Sequence, residues 1–512
     1  MPNNEWGDFQ TPAELAEMAV ASLPSGKWRR VLEPTCGHGQ FLDATRSLGA
    51  RVERRGIEIQ ASYADQARNR GFEVLQRNIF ELDLGRDVEW SLDGPLLVIG
   101  NPPWVTSSQL GALGSINLPA KSNIRNLRGF DAMTGSSNFD IAEFILLKLM
   151  LELIADRPTI SLLVKTQVAR NVLSFAEQFQ LPYSSFSIRE IDAKKWFGAS
   201  VDACLFTMAY SARPSYECAV FSSVDAVQET HRIGVVAGRL VADIGRYERT
   251  AFADGACQLE WRSGVKHDAS AVMELSLARI HELGLESSYV FPLLKCSDLF
   301  RGRLEPSRGM VVPQLSFGED TAHLSEDAPI LWSYLHENAK VLDGRGSSIY
   351  RSQPRFAVFG LGQYTFAPFK IAISGLHKEA RFVARGPVDG KPVVVDDASY
   401  TLSFDDSSEA AVVLALLRSQ PAQDLLASLV FWDAKRPINK KLLQRIDLLA
   451  VARELSTDEI VHAARATAQE FGIAEGPSDA SALSRLTRQW EMRARGLASD
   501  ASQRQPAQLE LI

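Results

Sequence analysis

The sequence predicts an α/β domain built on a mostly parallel sheet with helices on both faces, followed by a second region of mixed α and β character. Three observations carry this. Strand-like apolar runs alternate with helix-like segments over residues 30–210, the pattern of strands joined by crossover helices. A short strand from Arg30 to Leu32 runs into a turn with glycines at 37 and 39, then into a helix-like segment. Such a turn lets a ligand approach the backbone closely. Finally, an apolar run from Leu96 to Ile99 is stopped by Pro102 and Pro103. That break holds Asn101 and Trp104 at the carboxyl edge of the sheet, where open α/β folds bind ligands.

Taken in order, residues 13–22 read as a short amphipathic helix, with Thr11 as N-cap and Pro12 at the first helical position. Strands follow at 30–33, 55–59, 73–77 and 96–100, with helices at 41–48 and 61–70 between them. A long apolar helix near 139–155 precedes a strand at 159–166 and a helix near 170–180. Strands near 185–191 and 203–210, joined without a full helix, read as an antiparallel hairpin. The regular pattern is interrupted by a long polar stretch, Val105 to Ser137, which carries Lys121, Arg125 and Arg128 with no acid between 119 and 130. Stretches of this length inside a compact domain are functional or disordered. Its place beside Asn101 makes it a candidate nucleic-acid contact. We set the first domain at 1–212, a second at 213–450, and a helical segment with a polar tail at 451–512.

Composition narrows the class. The chain has 512 residues, 46% hydrophobic and 23% charged, which fits an ordinary globular protein of two or three domains. No apolar run approaches the ~20 residues that span a bilayer, and the first residues lack a basic stretch followed by an apolar one. A cytoplasmic protein with no membrane partner is expected. The cysteines at 36, 204, 218, 257 and 296 are scattered without a Cys-x-x-Cys spacing, so neither disulfides nor a metal site are expected. The net charge of −7 does not announce a nucleic-acid binder. Local balance matters more. Between 331 and 391 nine Lys and Arg, among them Arg345 and Arg351, stand against four acids. Aromatics interleave with them around 350–369, a pattern that suits a nucleic-acid surface and also suits strand core.

The chemistry concentrates in two motifs. Asn101 brings a side-chain carbonyl acceptor, Pro102 a backbone carbonyl without its own N–H, and Trp104 a flat ring. Together they suit a planar heterocycle bearing an exocyclic amine. Glu33-Pro34-Thr35-Cys36-Gly37-His38-Gly39 forms the turn, and the next strand ends in Glu58. A carboxylate there receives ribose hydroxyls in nucleotide-type α/β sites. Position 42 is Leu, so the full Gly-x-Gly-x-x-Gly is absent and a dinucleotide is disfavoured.

These motifs, in this order, resemble those of the S-adenosylmethionine-dependent N6-adenine DNA methyltransferases of bacterial restriction-modification systems, gamma class. Phe9-Gln10-Thr11-Pro12 is similar to the family's amino-terminal motif, and Glu33 to Phe41 and Asn101-Pro102-Pro103-Trp104 to its two central ones. The resemblance covers roughly residues 5 to 210. It implies the class I methyltransferase fold, with a target-recognition domain in the C-terminal region. It also implies a cofactor site made by Thr11, Pro12, Glu33, Pro34, Thr35, Cys36, Gly37, Gly39, Phe41 and Glu58. Ile59 and Ile79 would flank the cofactor's adenine, and Asn78 stands where the family usually has an acid. The resemblance further implies that Asn101 and Pro102 accept from the target amine while Pro103 stiffens the turn. A base would be flipped out of the duplex onto Trp104. Phe197 resembles the aromatic that packs against that base, and a core role is equally open to it. Lys165 either lines this pocket or is exposed. Double-stranded DNA is the implied partner, with a cognate restriction endonuclease as a further one, for a monomer near the bacterial nucleoid. N4-cytosine, RNA or protein methylation, and a non-catalytic DNA-binding subunit, remain as alternatives. C5-cytosine chemistry does not, because no Pro-Cys dipeptide occurs.

Overall fold

The computed structural model describes residues 9–106, 140–472 and 479–496. Lys121, Arg125, Arg128 and the polar stretch that carries them, from residue 107 on, lie outside these residues. The chain divides into two compact units, Met1–Gly245 and Arg246–Ile512.

The first unit is organised on a ten-stranded sheet. Its strands are β1 (Arg30–Glu33), β2 (Glu53–Glu58), β3 (Glu73–Gln76), β4 (Leu96–Gly100), β5 (Thr159–Lys165), β6 (Tyr183–Ile191), β7 (Ala203–Tyr210), β8 (Glu217–Phe221), β9 (His231–Val236) and β10 (Arg239–Val241). They lie in the order β10-β9-β8-β6-β7-β5-β4-β1-β2-β3. β1 to β5 are parallel, and β7 is antiparallel to both β5 and β6. This is the class I S-adenosylmethionine-dependent methyltransferase sheet that the motifs imply. β1, β4 and nearly all of β5 are buried along their whole length, as continuous Val, Ile and Leu runs require when helices cover both faces. Burying each such side chain stabilises the unit by roughly 1.5–3 kcal/mol. The sheet continues through β8, β9 and β10, so residue 212 falls within the sheet rather than at its end.

Helices α1 (Ala13–Ala21), α2 (Gln40–Ala44), α3 (Ala61–Asn69), α4 (Ile141–Glu152) and α5 (Thr166–Gln178) lie near their expected positions. Pro12, not Thr11, occupies the cap position of α1, and no side chain caps that end. α4 is buried on almost all sides, and its one cation, Lys148, is satisfied by Glu152 at 2.5 Å and the Leu82 carbonyl at 2.6 Å. Because β1 lies between β2 and β4, the crossovers leave it in opposite directions. The carboxyl ends of β1 and β4 therefore flank a crevice, the switch point where α/β sheets take ligands.

The second unit holds two four-stranded sheets. One joins Arg262–Ser263, Ser399–Phe404, Phe369–Ser374 and Val383–Arg385, and the other joins Glu274–Ser276, Arg308–Val311, Val290–Leu294 and Val394–Val395. The helix Ser407–Arg418 is the core of this unit, with helices Thr457–Ala468 and Asp479–Ala494 packed against it. Residues 457–472 and 479–494 are therefore part of the unit's body.

A buried ion cluster pins the second sheet. Glu274 receives Lys295 Nζ at 2.7 Å and His267 Nε2 at 3.2 Å, with Arg308 at 3.5 Å. Burial alone would raise the Glu274 carboxyl, but the hydrogen bonds from His267 and Lys295 outweigh it and bring it from the usual 4.5 down to about 2. A depressed carboxyl contributes stability that is complete above its unfolded value and is lost as pH falls through its folded one. The unit should therefore lose stability progressively from about pH 4.5 towards pH 2. Glu274→Gln should be less stable at neutral pH and should show a shallower loss over that window. Chemical denaturation at pH 7, 4 and 3 checks this, and equal acid slopes in the two proteins would refute it.

Candidate active site

The turn after β1 is shaped by its glycines. Gly37 and Gly39 both adopt left-handed backbone, at φ +49° and +76°, which glycine tolerates without strain. A Cβ on Gly37 would stand 2.6 Å from Gln10 Oε1, so the Gln10 side chain lies directly over the turn. Gln10 Oε1 also accepts from His38 N at 3.2 Å. Below, Cys36 N donates to Ile57 O at 2.8 Å. The Cys36 thiol fits beneath Gly56 of β2, where a Cβ would approach it to 2.7 Å. Cys36 is thus a small filler, and burial pushes its thiol far up.

Two carboxylates fix this turn from behind. Glu58, at the end of β2, accepts from Gly37 N at 2.9 Å and from Gln60 N at 2.8 Å. Glu33, at the end of β1, accepts from Leu42 N at 3.0 Å. Burial raises the Glu33 carboxyl well above its ordinary value, and the neighbouring Glu58 adds to this against the hydrogen bonds from Leu42 and Phe41. Glu33 therefore caps α2 as well as facing the crevice.

Between these carboxylates and the end of β4 lies a cavity partly open to solvent. Thr11, Glu33, Pro34, Thr35, Cys36, Gly37, Glu58, Ile59, Asn78, Ile79, Asn101 and Pro103 all line it. Pro12, Gly39 and Phe41 do not line it, and Phe41 is in the core. Phe9, Gln10, Gln60, Tyr63, Phe80 and Ile145 also line the cavity and were absent from the expected set. Gln60 and Tyr63 open α3 directly after Glu58, and that adjacency could have pointed to them. Ile145 comes from the buried helix α4, which carries no ligand signal of its own.

Asn78 caps the short turn Ile79–Glu81, its Oδ1 accepting from Phe80 N at 3.1 Å. One lone pair of that oxygen is left to face the cavity. Ile59 is 42% exposed and Ile79 is buried. An exposed branched apolar residue on a cavity wall is a surface for a flat ring.

At the end of β4 the Asn101 amide is divided between two tasks. Nδ2 donates to the Phe9 backbone carbonyl at 2.9 Å. Oδ1 is buried and accepts nothing among the described residues. The Asn101 backbone is held by Thr35 Oγ1, which donates to its carbonyl at 3.4 Å. The chain then passes Pro102 and Pro103 to Trp104, whose indole Nε1 donates to Leu163 O of β5 at 3.1 Å. The Trp104 ring is not an open platform. It is 5% exposed and meets Phe197 edge-on at 5.1 Å and Phe9 at 5.7 Å, while Phe9 and Phe197 are also 5.7 Å apart. Phe197 ends the helix Ala193–Phe197, where Gly198 in left-handed conformation turns the chain away. The structure therefore gathers Trp104 and Phe197 as expected and adds Phe9 as a third ring.

Thr106 and Asp140 are paired by an antiparallel bridge. Lys165 Nζ is bound to Asp140 Oδ2 at 2.7 Å, so its charge is already neutralised locally. Arg345, in the second unit, donates to the carbonyls of Leu342, Ala357 and His267 and stacks on Tyr350 at 3.7 Å. Its guanidinium is committed to holding the fold. Arg351 is exposed. Among the described residues no cluster of His, Cys, Asp or Glu could hold a metal ion, and no helix is long and apolar enough to cross a membrane.

No protein-family model matches the chain. It is 38% identical over 469 residues to the Type II methyltransferase M.NspV of Nostoc sp. (strain ATCC 29411 / PCC 7524), an alignment covering 88% of this chain and 97% of that one. It is 30% identical over 104 residues to the Type II methyltransferase M.CvrRI of Paramecium bursaria Chlorella virus XZ-6E, covering 20% and 26% of the two chains. Among solved structures, the Type IIL restriction-modification enzyme MmeI in complex with DNA aligns with 93% of this chain and 71% of its own, at a TM-score of 0.49 and 13% identity. The near full-length likeness to M.NspV shows that this chain belongs to the Type II methyltransferases.

Proposed function

We propose that this chain is a site-specific DNA methyltransferase that moves a methyl group from S-adenosylmethionine to N6 of an adenine flipped out of duplex DNA. One observation carries the reading. Asn101 Oδ1 is buried and without a partner among the described residues at the ligand edge of the sheet, while the other atom of the same amide is tied down. A buried acceptor left open costs about 1–3 kcal/mol. Such a cost is retained where a ligand donor completes the bond, and an exocyclic amine is that donor.

S-adenosylmethionine, bound, supplies an electrophilic sulfonium methyl. The residues of the cavity fit it: Glu58 at the strand end for ribose hydroxyls, Ile59 and Ile79 for a flat base, and the Gly37 turn for close approach of the amino-acid portion. Thr11, with Gln10, closes the cavity beside that turn. Asn101 Oδ1 and the Pro102 carbonyl then accept the two hydrogens of the target amine. Holding both draws the nitrogen towards tetrahedral geometry and frees its lone pair for attack. An amide is no base, so the rate gain comes from positioning and electrostatics. Trp104 and Phe197 take the flipped base between them. Their rings must part to about 7 Å, twice the ~3.5 Å contact distance, for a base to enter. The second unit reads the recognition sequence, and Arg351 is one of its phosphate contacts. The enzyme acts as a monomer beside a restriction endonuclease of the same specificity.

Two experiments test this. Modified-base sequencing of DNA from cells expressing the chain should show N6-methyladenine at one short motif. Asn101→Ala, which removes an acceptor, should abolish it. N4-methylcytosine instead would keep the fold and cofactor and reassign the acceptor base, and no modified base in either sample would sink the reading. Gly37→Ala should weaken S-adenosylmethionine binding about tenfold or more, because a side chain in left-handed backbone costs about 1–2 kcal/mol and must also displace Gln10. Calorimetry giving undiminished affinity would remove the turn from the cofactor site.

A further inference from the structure

We infer that Phe9 is a positioning residue for methyl transfer, its backbone carbonyl setting which atom of the Asn101 amide faces the substrate. This rests on the reading of Asn101 as the amine acceptor. An amide side chain has two nearly isosteric orientations, one presenting an oxygen and the other an NH2 group. Only the first can receive an amine hydrogen. A backbone carbonyl accepts and never donates, so the Phe9 carbonyl, 2.9 Å from the amide, selects Nδ2 as its partner. Oδ1 is thereby turned away and left open.

The same short segment meets both the Asn101 end of the site and the Gly37 turn. The Phe9 ring lies against Trp104 and Phe197. Gln10 covers the Gly37 turn and accepts from His38 N. Thr11 lines the cavity. Residues 9 to 11 therefore seat as one strip, running from the acceptor and its aromatic partners to the cofactor turn. When the strip is seated over Gly37, the Phe9 carbonyl is in place and the amide is set for an amine. When the strip is lifted, the amide is free to turn and present a donor to a donor. Loading of the cofactor cavity and readiness of the base acceptor are coupled through three consecutive residues.

The test is a cycle crossing removal of residues 1–9 with substitution at Asn101, read as the single-turnover methyl-transfer rate at saturating DNA and S-adenosylmethionine, with cofactor affinity measured alongside. In the Asn101 enzyme, truncation should lower the rate about 10- to 100-fold, the scale of one mispaired hydrogen bond at the reacting atom. Cofactor affinity should change several-fold less. In Asn101→Asp both terminal atoms are oxygens, so there is no orientation to select, and the carboxylate faces the Phe9 carbonyl lone pair to lone pair. Truncation there should leave the rate unchanged or raise it. If that variant is too slow to measure, Asn101→Ser replaces it, because a hydroxyl both donates and accepts and needs no orienting partner. Truncation that slows both backgrounds equally, or that leaves the Asn101 enzyme at full rate, overturns the role of Phe9. A full-length enzyme that methylates no DNA overturns the underlying assignment of Asn101 instead.

Discussion

The site depends first on the Glu58 carboxylate. It closes β2, binds the Gly37 amide on one oxygen and the Gln60 amide on the other, and so fixes the glycine turn against the start of α3. The Cys36 amide on the Ile57 carbonyl and the Arg70 guanidinium on the His38 carbonyl reinforce that bracket. The turn's own backbone is left-handed at two positions, and of these Gly39 is held by the Cys36 carbonyl and by the first amide bond of α2, from Asp43. Glu58 is buried, and burying a carboxylate is costly unless its lone pairs are used. Two amides use some of them. The geometry therefore joins a structural necessity to a functional one, since the same carboxylate borders the cavity.

β4 supplies the complementary half. Its buried run ends at Gly100, where a Cβ would already meet Glu33 and Pro34 at 3.4 Å. The close approach of β4 to the β1 turn brings Asn101 to the same crevice as Glu58. Thr35 fixes the Asn101 backbone from the turn side and Phe9 fixes its amide from the amino-terminal side. Three stretches distant in sequence thus converge on one side chain. Such convergence restrains the side chain that the proposed function makes the acceptor, and restraint of this kind is how positioning contributes to rate.

The centre of the first sheet is legible in the sequence because β4 and β5 are nearly continuous apolar runs entered from Pro95 and Pro158. β1, β4 and β7 were placed to the residue, and the order of motifs identified the carboxyl edge. The site was legible where a residue's chemistry is unusual for its position: a carboxylate ending a strand, glycines in a turn, Asn before Pro-Pro. It was illegible where the role is set by three-dimensional neighbours. Phe9 could be matched as part of a motif, but nothing in its identity announces that its carbonyl reaches Asn101. Trp104 reads as a flat stacking face from its type, and nothing in its identity shows that Leu163 and two other rings cover it. Arg345 reads as a phosphate contact within a basic stretch, yet three carbonyls and Tyr350 take up its guanidinium. Charge counts along a chain do not show which cations are already spent. The extension of the sheet through β8 to β10 was missed for the converse reason, since short strands with mixed burial carry little periodic signal.

The closed aromatic cluster gives the last constraint. Phe9, Trp104 and Phe197 pack against one another with ring centroids 5.1 to 5.7 Å apart. Trp104 is anchored through its indole to β5, a strand buried almost throughout, and is the least movable of the three. Phe197 sits at a helix end bounded by a glycine turn, and Phe9 lies just beyond the start of α1 on irregular chain. Under the proposed function, a base entering the cluster would displace Phe197 or Phe9 rather than Trp104. If Phe9 moved, its carbonyl would move with it and release the Asn101 amide. Entry by displacement of Phe197, with Phe9 held, is the path that this proposal favours.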